Sequence, residues 1–131
     1  MNTVQDILTI EDIKKLVDTF YGKVRQDELL APIFNEKIGD QWPKHLEKMY
    51  TFWQTVLLGE QTYYGSPFPK HAQLPVDKMH FQKWIELFNQ TVDEQFQGVK
   101  ATEAKLRAGK MAEMFNSKIE YSRKHGFQNL M

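Results

Sequence analysis

Apolar residues repeat with the period of an α-helix along four stretches of this chain, and one proline-framed break divides them into two pairs. Ile13, Leu16, Val17, Phe20, Tyr21 and Val24 form one stripe of a helix expected from about Thr9 to Gln26. Thr9 suits its N-cap, and Glu11 and Asp12 suit the positive end of its dipole. Leu29 to Phe34 reads as a short apolar connection interrupted by Pro32. Gly39-Asp40 then opens a second helix, with Asp40 as cap and Pro43 in the first turn. Its stripe is His45, Met49, Phe52, Trp53 and Val56, and Gly59 stops it. Residues 60 to 76 hold Gly65, Pro67, Pro69 and Pro75, which argues against a long regular helix there. Asp77 caps a third helix with Phe81, Trp84, Ile85, Phe88, Val92 and Phe96 on one face, ending before Gly98. The fourth starts near Thr102, carries Ala104, Ala108, Met111, Phe115 and Ile119, and ends near Gly126. Alternating runs bounded by turn signals are absent. The expected fold is all-α, with four main helices and short pieces.

At 131 residues the chain is expected to form one domain with a single core. Lys plus Arg and Asp plus Glu both number 17, so no basic excess points to nucleic acid or a membrane surface. There is no cysteine, which excludes disulfides, iron–sulfur ligation and thiolate chemistry. The first residues show no signal peptide, and no run approaches the roughly 20 apolar residues of a membrane helix. A cytoplasmic protein is the expectation.

Four histidines are present. His71 sits in Pro67-Phe68-Pro69-Lys70-His71-Ala72-Gln73-Leu74-Pro75, where prolines restrain the backbone and can aim an imidazole. His45 falls on an apolar stripe, so it is either a hydrogen-bonded core residue or a polar group lining a ligand cavity. His80 lies off the main stripe of its helix and reads as surface or boundary. His125, before Gly126, suits a helix C-terminus. No His-x-x-x-His pair, nucleophile elbow, phosphate-binding glycine loop or paired acid/base carboxylates occur. Tyr21 and Trp84 also lie on inner stripes, and each brings a polar tip that needs a partner. With His45 they place three polar groups on three apolar faces, and a cavity holding a polar ligand satisfies them.

These residues carry a family resemblance. Phe20-Tyr21 resembles the distal Phe-Tyr pair of the truncated haemoglobins. Pro69-Lys70-His71-Ala72-Gln73-Leu74-Pro75, followed by Phe81-Gln82-Lys83-Trp84-Ile85-Glu86-Leu87-Phe88, is similar to their proximal-histidine segment and the next helix. His45 with Phe52-Trp53-Gln54-Thr55-Val56-Leu57-Leu58-Gly59 resembles the distal helix of that family's third group. The paired glycines of other truncated globins are missing; Gly39, Gly59 and Gly65 stand alone, which also points to the third group.

The resemblance implies a two-over-two helical sandwich around haem b, over one domain of residues 1–131 with its core at about 10–122. His71 is then the iron ligand, and Tyr21, Trp84 and His45 form the distal side, where donors slow the release of a ligand that takes on negative charge. Phe34, Met49, Trp53, Leu74 and Phe81 supply apolar wall, and Tyr64 and Lys70 reach the haem carboxylates. No acid lies within a turn of His71, which favours reversible ligand binding and oxygen transport over peroxide cleavage. Three classes stay open: a carrier of O₂, NO or CO; an enzyme oxidising NO or reducing peroxide with electrons from a reductase; and a haem-free helical interaction module.

Overall fold

The computed structural model describes residues 4–61 and 76–125. Among them are five helices and no strand: α1 (Ile10–Val24), α2 (Ala31–Ile38), α3 (Trp42–Leu58), α4 (Lys78–Gln95) and α5 (Val99–His125). The pair α1/α3 packs on the pair α4/α5, through contacts of α1 with α4 and of α3 with α5. This is a two-over-two helical sandwich.

Helix α1 follows its local code. Thr9 Oγ1 accepts the Asp12 N–H at 3.2 Å, and the Asp12 carboxylate accepts the Thr9 N–H at 3.1 Å, a reciprocal capping box. All six residues of its expected stripe are buried. They join Phe52, Trp53, Leu57, Phe88, Val92 and Phe96 in the main core. A smaller apolar cluster of Val76, Phe115 and Ile119 lies apart, with Ile33, Phe81 and Met111 packed on it.

Three elements differ from the sequence expectation. Leu29 to Phe34 is not a plain connection. Asp27 Oδ2 accepts the N–H groups of Leu29 and Leu30, each at 3.0 Å, and Pro32 falls in the first turn of α2, where its missing N–H costs nothing. Asp40 does not cap α3. Gly39, at φ 58°, first ends α2 with its N–H on Asn35 O at 2.8 Å, and α3 begins after Gln41 with Pro43 in its first turn.

Helix α5 starts at Val99, not Thr102, because its cap comes from the other end of the chain. The Asp6 carboxylate accepts the Lys100 N–H at 2.9 Å and the Ala101 N–H at 2.8 Å. Burial opposes the Asp6 charge, but the N–H groups of Lys100, Ile7 and Ala101 outweigh it and hold the carboxyl below its usual value. Gly98, at φ 144°, permits this approach; a Cβ there would lie 2.5 Å from Asp6 Cγ. The Gln97 N–H donates to Gln5 O at 3.0 Å beside it.

Candidate functional site

Between the main core and the small cluster lies a cavity of about 790 Å³, counting its part open to solvent. Helices α1 and α3 contribute Tyr21, Met49, Phe52 and Trp53; Leu30 and Phe34 come from the start of α2. Val76 and the α4 residues His80, Phe81 and Trp84 form another wall, completed by Met111, Ala112 and Phe115 of α5.

Stacked and edge-on rings build the aromatic wall. Trp53 stacks on Phe88 at 5.1 Å, and Phe88 stacks on Trp84 at 5.7 Å. Phe20 meets Trp84 edge-on at 5.3 Å and Tyr21 at 4.9 Å. Such pairs add about 0.5–1.5 kcal/mol each beyond area burial, so the indole and phenol are held in place by packing.

Tyr21 is only 6 % exposed. Burial pushes its phenol far above the ordinary tyrosine value, which keeps the hydroxyl protonated and able to donate. Its ring also meets Phe34 at 6.3 Å, Trp42 at 5.8 Å and His45 at 5.1 Å. His45 is half-buried on α3 and stands edge-on to Tyr21 and, at 5.7 Å, to Trp42. It does not itself line the cavity. Trp42 is a core residue the periodicity did not select; its Nε1 donates to Asn35 Oδ1 at 3.2 Å and the Arg25 guanidinium covers its ring at 4.6 Å.

Six residues singled out from sequence therefore converge on one cavity: Tyr21, Phe34, Met49, Trp53, Phe81 and Trp84. Tyr64, Lys70, His71 and Leu74 lie outside the described residues, and so does the side chain of His125. Leu30, Val76, His80 and Ala112 were missed as lining residues. Phe52, Met111 and Phe115 were read as core stripe, and their stripes were the signal that could have placed them here.

His80 is a boundary residue, within the expectation of a surface or boundary position, and its place on the cavity wall adds to that reading. Its side chain is 17 % exposed and it lines the cavity. Asp77 caps α4 by accepting the Met79 N–H at 2.9 Å, and the Asp77 N–H donates to His80 Nδ1 at 3.1 Å. That exchange turns the ring back along the helix. Hydrogen bonding to His80 holds the Asp77 carboxyl below its usual value.

The lining fits a haem in kind. Among the described residues it is apolar and aromatic, with a few donor tips, and they include no cluster of three or more acidic or histidine groups that would instead hold a bare metal ion.

Comparison with known proteins agrees. The bacterial-like globin family matches residues 5–119. The chain belongs to that family. It is 42 % identical over 87 residues to the group 3 truncated hemoglobin ctb of Campylobacter jejuni, covering 63 % of this chain and 68 % of that one. The crystal structure of the group III truncated hemoglobin from Campylobacter jejuni superposes with a TM-score of 0.82 at 34 % identity, over 89 % of this chain and 95 % of that one. This globin thus has the truncated, group III form that its Phe20-Tyr21 pair and His45 stripe resemble. Membership implies a haem cofactor. Among the described residues no helix is long and apolar enough to cross a membrane.

Proposed function

We propose that this globin holds haem b in the cavity between α1, α3 and the α4/α5 pair, and reversibly binds O₂ or another diatomic ligand, NO or CO. The observation that carries this reading is the pairing of two donors, the Tyr21 hydroxyl and the Trp84 indole N–H, on a wall whose other described residues are apolar apart from His80. A haem bound there supplies an iron with a coordination position open to a small ligand.

The chain's own residues do the rest. His71 is the proposed iron ligand. Val76, five residues after it, lines the cavity, and five residues span at most about 18 Å of chain. Tyr21 stays protonated because it is buried, and Trp84 is a donor at any pH, so both offer hydrogen to a ligand that gains negative charge. His45 sets the Tyr21 ring by its edge contact. Phe34, Met49, Trp53, Leu74 and Phe81 are the proposed apolar wall that excludes water, and Tyr64 and Lys70 are the proposed partners of the haem carboxylates. The proposed unit is one cytoplasmic domain over residues 1–131, working through about residues 10–122.

Equilibrium O₂ binding by the haem-loaded chain tests this, alongside NO consumption with and without an added reductase. Saturable O₂ binding reversed by deoxygenation supports a carrier. NO turnover that depends on the reductase, with no reversible O₂ complex, contradicts it in favour of an enzyme.

A further inference from the structure

The imidazole of His80 has Nδ1 committed to Asp77, while no described residue bonds Nε2. Nδ1 accepts the Asp77 N–H at 3.1 Å, so in the neutral ring the proton sits on Nε2. Asp77 Oδ1 also lies 3.0 Å from Nδ1, so Asp77 occupies this nitrogen. With Nδ1 accepting the Asp77 N–H in the α4 capping box, Nε2 is the nitrogen that carries the N–H. A nitrogen that carries a proton does not ligate iron; it suits an anionic oxygen acceptor.

The ring also lines the cavity at 17 % side-chain exposure, among Val76, Phe81 and Phe115. None of those neighbours carries a side-chain acceptor, and no bond from a described residue reaches Nε2. An apolar cofactor with carboxylate arms offers Nε2 a charged acceptor in place of water.

We infer that His80 is a haem-binding residue whose Nε2–H hydrogen-bonds a haem carboxylate, oriented by the α4 cap. This rests on the haem reading above. It assigns His80 a positioning and retention role, separate from the proximal ligand and from the distal donors.

The experiment compares haem with haem dimethyl ester, in which both carboxylates are blocked, in the native chain and in His80→Gln. Glutamine at this position keeps a side chain able to reach back to the Asp77 N–H, so the cap survives, while the ring donor is lost. Far-UV circular dichroism melts of both apo chains check that the fold is kept. The readout is the rate of transfer of each cofactor to excess apomyoglobin, followed at the Soret band.

A charge-assisted hydrogen bond predicts that His80→Gln releases haem about tenfold faster than native, whereas the two chains release the dimethyl ester at similar rates. Equal haem release from native and His80→Gln overturns the inference while leaving the haem reading intact. So does a changed axial-ligand spectrum in His80→Gln, which would make Nε2 an iron ligand. A native chain that takes up no haem overturns both.

Discussion

The rings of Tyr21 and His45 meet edge to face, with centroids 5.1 Å apart and planes at 87°. The contact joins α1 to α3 at the cavity, so the imidazole sets where the phenol points. In the haem-loaded chain, Tyr21→Phe is expected to speed O₂ dissociation about 10- to 100-fold, the loss of a hydrogen bond to a charged acceptor. His45→Leu should act through Tyr21, so the double variant falls short of the sum of the single effects. Stopped-flow dissociation rates check both. An unchanged rate in Tyr21→Phe counts against the distal assignment.

Tyr21 also gives a pH dependence. Its folded pKa is raised by burial, whereas in the unfolded chain the phenol ionises near pH ~10. Above that pH the unfolded state loses a proton that the native state retains, so stability falls as pH rises. Tyr21→Phe should flatten this alkaline loss in urea melts between pH 9 and 11, taken here as roughly the window around the ordinary tyrosine value. Equal alkaline slopes in the two chains contradict a buried phenol.

The link from Asp6 to α5 predicts stability effects far from the cavity. Asp6→Ala removes a helix cap and should cost about 1 kcal/mol in denaturant unfolding at neutral pH. Because the folded pKa of Asp6 is depressed, its contribution is present above the unfolded value near ~3.9 and is lost as pH falls through the folded one. Asp6→Asn should therefore blunt acid destabilisation. Gly98→Ala combines a disfavoured φ with the close approach of the Asp6 carboxylate, and should cost at least about 1–2 kcal/mol.

Phe88 is the middle ring of the Trp53–Phe88–Trp84 stack and is 1 % exposed. Phe88→Ala should destabilise the chain by about 3–5 kcal/mol. It should also free the Trp84 indole, seen as a broader tryptophan near-UV signal. A variant as stable as native would mean the stack does not hold the cavity wall.

Local signals made much of this legible from sequence. Helix α1 was read in full because its cap, Thr9 with Asp12, and its stripe from Ile13 to Val24 are encoded within one segment. Tyr21, Met49, Trp53 and Trp84, read from inner stripes, line the cavity because cavity wall and core stripe share the same helical period. The start of α5 was hidden because its cap, Asp6, lies 94 residues from Lys100. Trp42 was missed because it opens α3, before periodicity can register. His80 was read as surface or boundary and is a boundary residue at the edge of its helix's stripe, but stripe position alone did not show that it lines the cavity.

The most direct test is the absorption spectrum of the purified chain titrated with haem, as native protein and as His71→Ala. The account predicts a Soret band that saturates at about one haem per chain, the occupancy of one pocket, with an imidazole-ligated ferrous spectrum in the native chain. In His71→Ala that spectrum should be lost and should return on adding free imidazole. A native chain that develops no saturable Soret band, or a His71→Ala variant with an unchanged spectrum, contradicts it.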